Sequence, residues 1–337
     1  MIQLPLVSVV IACRNEEKHI ANSINSILNQ DYPENLIEII VVDGMSDDSS
    51  GVIISEKAKQ HKNIILLQNK EQITPVAFNM GIRSAKGEFV QILSARQILC
   101  ETYISTCVNL FLNDKKTGCI GGTSKFTYDS NEGKYIALAY QSWFGHGVGS
   151  VFSTKRSTYT DTAVAPIYRK NLLLEVGVFD ETFIRNQDDE LSFRIIKNRY
   201  KIFTTSETFS CYLVRSSLGS LFKQHYQYGY WKVYVNIKHR TFTTYRQIFP
   251  CLFVCFLVLG FPILNILGMS YLFIGVLGIY IMLGFLFNRG KNIIEKSRVF
   301  LIIFIMHLSY GIGYLEGILH FLILEMEPLE RNKTLSR

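Results

Sequence analysis

The chain has 337 residues, 48% of them hydrophobic, with 35 Lys and Arg against 28 Asp and Glu. That length holds one large or two ordinary domains, and so apolar a composition lies above that of a purely soluble protein. The apolar excess begins at Phe249 and basic residues gather beside it, which disfavours a nucleic-acid-binding protein and favours contact with a membrane surface.

The seven cysteines, Cys13, Cys100, Cys107, Cys119, Cys211, Cys251 and Cys255, show no CxxC pairing and no His at zinc-finger spacing. They read as buried thiols of a reducing compartment. Residues 1–6 lack a basic start followed by an apolar core, so no secretory signal is expected there.

In chain order, VSVVIA at residues 7–12 is a short β-branched run of the kind buried in a parallel sheet. It ends in Cys13-Arg14-Asn15-Glu16-Glu17. Ile20, Ile24, Ile27 and Leu28 then share one helical face, and Asp31-Tyr32-Pro33 stops that helix. IEIIVVDG at 37–44 is a second buried strand ending in an acidic turn, followed by Ser46-Asp47-Asp48-Ser49-Ser50 and another helix. The βαβα order predicts right-handed crossovers and a ligand at the carboxyl ends of the strands. Glu16 and Asp43 stand at those ends, where an acid can take ribose hydroxyls or a base N–H. Neither strand runs into G-x-G-x-x-G and no Walker A sequence occurs, which disfavours an oxidoreductase or an ATPase.

A third strand is expected at 64–67 and a helix from Thr74-Pro75, with proline in its first turn. A fourth strand at 89–93 ends in Ser94-Ala95-Arg96. Between Cys119 and Ile167 the pattern loosens into a strand, a short helix and a long loop, where Trp143, His146 and Asp161 are acceptor-side candidates. Residues 163–168 read as a further strand and 172–181 as a helix with a glycine stop. Three carboxylates, Asp188, Asp189 and Glu190, then open a helix whose apolar positions include Leu191, Ile195 and Ile196, with Asn186 or Asp188 as its cap.

Residues 216–246 mix Lys223, Lys232, Lys238, Arg240 and Arg246 with Tyr228, Tyr230, Trp231 and Tyr234, a composition suited to a helix in the headgroup region. Apolar stretches follow at 249–268, 271–287 and 299–324. A span needs roughly 20 such residues, so the first and third qualify and the second is marginal. Arg289, Lys291, Lys296 and Arg298 place the loop after the second stretch on the cytoplasmic side. His307, Glu316 and His320 should face neighbouring helices, while Gly311, Gly313 and Gly317 fit close helix packing.

The ordered segments VSVVIACRNEE, IIVVDGMSDDSS, FNMGIRSAKGEF and NQDDELSFR resemble an inverting family 2 glycosyltransferase of GT-A fold. More narrowly, LFKQHYQYGYWK and HLSYGIGYLEG are similar to the membrane-attached exopolysaccharide subfamily typified by succinoglycan glucosyltransferase. The resemblance implies an α/β fold, a Rossmann-like and mostly parallel sheet, followed by transmembrane helices. The implied divisions are 1–215 catalytic, 216–248 interfacial, 249–324 membrane-spanning and 325–337 tail.

Carried over residue by residue, Glu16, Asp43, Asp48, Asn79 and Ser94 would hold a nucleotide-sugar donor. Asp188 would be the catalytic base, flanked by Asp189 and Glu190, because inverting transfer needs a carboxylate to take the acceptor hydroxyl's proton. Gln224 alone survives of the Q-x-x-R-W motif, which points to single additions, and Trp231 joins the acceptor candidates. At the end of the fourth strand the family carries Asp-x-Asp or Asp-Ala-His for a magnesium or manganese ion on the donor diphosphate. Here Ser94-Ala95-Arg96 stands instead. The leaving charge must still be balanced, by Arg96 as a fixed guanidinium or by an ion on the diphosphate, water and a remaining carboxylate. The expected partners are a UDP-sugar donor, a lipid-linked saccharide acceptor and the inner cell membrane, with the catalytic domain cytoplasmic and no nucleic acid. A non-catalytic nucleotide-sugar sensor that has lost the metal acid is the competing reading.

Overall fold

The computed structural model describes residues 3–114, 116–146, 152, 156–329 and 332. Two compact units divide the chain: Met1–Lys125 with Thr154–Leu213, and Phe126–Ser153 with Val214–Arg337. Its elements run β1 (Val7–Cys13), α1 (Ile20–Leu28), β2 (Ile37–Asp43), α2 (Ser50–Gln60), β3 (Ile64–Gln68), α3 (Thr74–Ser84), β4 (Phe89–Ser94) and β5 (Gln97–Leu99). Then come α4 (Tyr103–Asn113), β6 (Thr117–Thr127), α5 (Asn131–Tyr140), α6 (Trp143–His146), β7 (Thr158–Tyr159), β8 (Val164–Arg169), α7 (Lys170–Glu175), α8 (Gln187–Lys197) and β9 (Lys201–Leu213). The rest is helical: α9 (Leu218–His239), α10 (Phe249–Cys255), α11 (Phe261–Ile266), α12 (Ser270–Leu286) and α13 (Ile293–Gly317).

One mixed sheet organises the first unit, in the order β3-β2-β1-β4-β8-β6-β9-β5 with β7 on β9. The strands β3, β2, β1 and β4 are parallel, with Ala12 opposite Val42 on one side and Ser94 on the other. The returning strands pair antiparallel. Alternation along β1 splits the core between two faces. Val7, Val9 and Ile11 pack with Ile20, Ile24 and Ile27 of α1 and with α4, whereas Val10 packs with Ala77 and Ile82 of α3 and with Leu191 and Ile195 of α8. Both faces are covered, which is why these strands read as unbroken apolar runs. Each fully buried Ile contributes roughly 1.5–3 kcal/mol. At the amino ends of the strands Ser8 Oγ donates to Glu38 Oε2 at 2.6 Å and accepts from the Gly87 N–H at 2.9 Å. A Cβ on Gly87 would meet Ser8 N at 2.7 Å and Leu6 O at 2.8 Å, so this close approach needs glycine.

Two sequence expectations change here. The helix expected over 172–181 ends at Glu175, because Gly177 turns the chain at φ 80° and residues 176–181 run as a loop. Asn186 does occupy the N-cap of α8, but in the left-handed region at φ 61° and without a capping side-chain hydrogen bond.

In the second unit α9 packs on α13 through glycines. Gly229 lies against the Tyr310 carbonyl and Gly313 against the Tyr226 carbonyl, while a Cβ on Gly317 would stand 2.8 Å from the Tyr230 carbonyl. Backbones this close leave no room for a side chain. His307 Nδ1 meets the Tyr280 hydroxyl at 2.9 Å, and His320 lies 3.8 Å from Glu316 and 3.3 Å from the Tyr230 hydroxyl. Polar groups on these apolar helices thus find helix partners. Residues Tyr245–Ile266 and Ile293–Ile323 form two helices long and apolar enough to cross a membrane, and Ser270–Leu286 is a shorter apolar helix.

Candidate functional site

The loops after β1 and β2 are stitched together by short side chains. Asn15, at φ 52°, donates its N–H to Ser46 Oγ at 2.9 Å and accepts from the Asp47 N–H at 2.8 Å. The Glu16 N–H donates to Ser50 Oγ at 2.8 Å, and the Glu17 N–H to Asp48 Oδ2 at 3.1 Å. Asp43 is buried and accepts from both the hydroxyl and the N–H of Ser46. Burial alone would raise the Asp48 carboxyl, but hydrogen bonds from Ser50 and the Glu17 N–H outweigh it and hold Asp48 below the usual range.

Three expected donor residues therefore come together. Their charges converge on the buried Cys13 thiol, which burial first, and then Asp43 and Glu16, push up to about 12. It is a packed thiol and not a nucleophile.

At the end of β4, Arg96 turns toward β1. Its Nε donates to Glu16 Oε1 at 2.9 Å and Oε2 at 2.7 Å, with the two side chains 28% and 12% exposed. Ser94 is exposed, and its N–H donates to Gln97 Oε1 at 2.9 Å. These residues do not fit a divalent ion held by protein carboxylates. The Glu16 oxygens lie on a guanidinium, and among the described residues no three His, Cys, Asp or Glu side chains converge for a metal.

Asn79 has a different place from the one expected. Fully buried, it donates Nδ2–H to the Phe179 carbonyl at 2.7 Å and to Glu181 Oε1 at 2.8 Å, and accepts from the Phe179 N–H at 2.9 Å. It pins the loop before α8. Arg194 pins the same loop from the other side, donating to the carbonyls of Val176 and Val178 at 2.7 and 2.8 Å and to that of Gly177. Glu190, completely buried, binds Arg194 one turn away at 2.7 Å. Asp188, by contrast, is exposed and Asp189 half-buried at the first turn of α8. The charge of Asp188 reaches the buried Tyr168 of β8. Asp161 lies beside Thr162, whose hydroxyl accepts from Ser192 of α8 at 3.2 Å.

The other acceptor candidates belong to the second unit. Trp143 is 51% exposed and stacks on Phe287. His146 is packed among Tyr140, Phe152 and His225, and burial, with His307 and Arg246 adding to it, pushes its imidazole down to about 3. Gln224 is buried, bonded to the hydroxyls of Tyr140 and Tyr228. Trp231 has no exposed surface and donates its indole N–H to the Asn332 carbonyl at 3.0 Å. Sequence reasoning passed over Arg14, Ser46, Ser50 and Arg194. Only Arg194, four residues after Glu190 on one helix, carried a local signal.

The mixed sheet covered by helices on both faces, with acids at the carboxyl ends of β1 and β2 and a later helix opening on carboxylates, is a GT-A fold. The chain belongs to glycosyl transferase family 2, whose profile matches residues 8–177. That segment stops short of α8. A glucuronosyltransferase from Methanococcus voltae, named as acting on dolichyl N-acetyl-alpha-D-glucosaminyl phosphate, is 30% identical over 66% of this chain and 71% of its own. Succinoglycan biosynthesis protein ExoA of Rhizobium meliloti is 24% identical over 93% of this chain and 95% of its own. Among solved structures, a mannosyltransferase from Pyrobaculum calidifontis in complex with GDP-Man and Mn2+ superposes with a TM-score of 0.54 at 20% identity. That match covers 67% of this chain and 62% of the other. The chain is a glycosyltransferase of glycan biosynthesis.

Proposed function

We propose that this chain is a membrane-anchored, inverting transferase that moves a sugar from a UDP-linked donor to a lipid-linked glycan at the cytoplasmic face of the cell membrane. The observation that carries the reading is the contrast at α8: Glu190 is locked to Arg194 while Asp188, two residues earlier on the helix, is exposed. An accessible carboxylate on a fixed helix can take the proton of an acceptor hydroxyl as that oxygen attacks the anomeric carbon. The bond from that carbon to the diphosphate breaks on the opposite face, which inverts the configuration. The departing diphosphate gains negative charge, and Arg96 at the end of β4 stands where fixed positive charge would meet it. Dependence on a divalent cation is correspondingly weak in this reading, although the Pyrobaculum relative holds Mn2+.

Support for a lipid-linked acceptor comes from the dolichyl phosphate in the Methanococcus relative's name and from the two apolar helices. Basic residues Lys291, Lys296 and Arg298 at the start of α13 suit a cytoplasmic headgroup region. On α9 the exposed Phe222, Lys223 and Lys238 suit an interfacial role for 216–248, whereas Tyr230, Trp231 and Lys232 are buried in the second unit.

Purified protein in detergent, given UDP- and GDP-sugars with a lipid extract as acceptor, tests the reading. Turnover should appear with one donor and persist in chelator, and Asp188→Asn should lower it by about 10²–10⁴-fold while donor binding stays. Asp188→Asn turnover equal to wild type would remove the base assignment. Turnover that chelator abolishes outright would return the leaving group to a metal ion.

A further inference from the structure

We infer that Arg14, immediately after β1, and Arg96, immediately after β4, form a two-guanidinium cradle for the donor's diphosphate, one that works without a protein-held cation. The inference rests on the donor reading above and adds to it a residue and a mode of binding.

The two arginines occupy matching places. β1 and β4 are adjacent and parallel with Ala12 opposite Ser94, and each arginine stands two residues beyond that pair. The stem of Arg14 lies over the end of β2: a Cβ on Gly44 would meet Arg14 Cβ at 3.3 Å and Cδ at 3.4 Å. Glycine there gives the arginine a bed at the mouth of the crevice.

Among the described residues Arg14 has no partner: its Nε is shielded from solvent with no hydrogen bond, and no hydrogen bond or ion pair involves its guanidinium. A shielded N–H left this way is costly unless a ligand completes it. The three acids at these strand ends are already engaged. Asp43 accepts from Ser46, Glu16 from Arg96, and Asp48 from the N–H groups of Glu17 and Ser50. The acids of the crevice thus leave Arg14 over.

Arg96 is half-used in a complementary way. Glu16 takes only Nε, and the two terminal amino groups make no hydrogen bond to any described residue. Glu16 orients the guanidinium and leaves its outer edge open. Two parallel N–H donors on that edge match two oxygens of a phosphate, a match an ammonium cannot make. With fixed charge on both sides, the diphosphate need not bring an ion to a crevice that already holds three acids.

The test is titration calorimetry of the full chain in detergent with UDP, GDP and uridine, all in chelator, on wild type, Arg14→Ala, Arg14→Lys and Arg96→Ala. The wild type should bind one of the two diphosphates, and each Ala variant should weaken that binding about tenfold or more, the loss of one charge-assisted contact. Uridine, which has no phosphate, should bind all variants alike. Arg14→Lys keeps the charge and the stem, so it serves if Arg14→Ala fails to fold; it should lie between wild type and Ala. Diphosphate binding that appears only on adding magnesium or manganese, or that Arg14→Ala and Arg14→Lys leave unchanged, overturns the cradle and leaves the transferase reading standing. Failure to bind either diphosphate with or without cation overturns both.

Discussion

The first unit holds two acidic stretches built in opposite ways. In the crevice after β1 and β2, Glu16, Asp43 and Asp48 are each tied to a neighbour by hydrogen bonds or an ion pair. At the start of α8 the acids differ in burial: Glu190 is sealed against Arg194, and Asp188 is exposed. Groups that hold a ligand gain from being fixed before it arrives, whereas a base must reach a proton on a second substrate. Fixing the helix through a neighbour satisfies both needs.

That contrast can be broken at its strongest joint. Glu190→Gln removes one partner of a buried pair and leaves the Arg194 charge uncompensated, so the unit should lose about 3–5 kcal/mol of stability. Thermal unfolding of the detergent-purified protein reads this directly, and an unchanged melting temperature would mean that Glu190 fixes nothing. A smaller effect is expected at Asn79→Ala. The Phe179 N–H and carbonyl lose their partner, which costs about 1–3 kcal/mol; because the loop leads into α8, kcat should fall while donor KM stays near wild type. A change in donor KM alone would instead place Asn79 against the nucleotide, as its sequence neighbourhood suggests. The smallest effect is at Asp48→Asn, about threefold in donor affinity through a looser β2 loop. Its pH dependence follows the sign of its shift. The carboxyl lies below its ordinary value, so its contribution is complete above about pH 4 and fades as pH falls through the lowered value. Affinity that rises on acidification would contradict that role.

How much of this was legible in the sequence depended on the range of the interaction. β1, β2 and β4 announced themselves because both faces of each are buried, so composition alone marks them. β9 went unread. Its buried positions include Thr204, Thr205, Thr208 and Ser210, which give no apolar alternation and gain their burial from strands far away in the chain. The acids at the ends of β1 and β2 stood out because each follows a buried strand, and Asp188 was singled out by the family resemblance and not by its helix. The roles of Asn79 and Arg194 were not, since their partners are 100 and 16–18 residues distant. Arg14 was visible as a letter, but only the engagement of Glu16, Asp43 and Asp48 elsewhere shows it as left over.

The path of the chain between units bears on how the protein can be handled. Residues 126–153 belong with the C-terminal helices although they precede β7, β8 and α8. Cutting after residue 215 to obtain a soluble catalytic fragment would strip α5 of what it packs on. Lys134 would lose Glu295, and the Tyr140 hydroxyl would lose Gln224 and His225. The apolar face of a stranded internal helix then meets water or another molecule. Such fragments would be expected to clump on expression, and a better excision would leave out 126–153 as well.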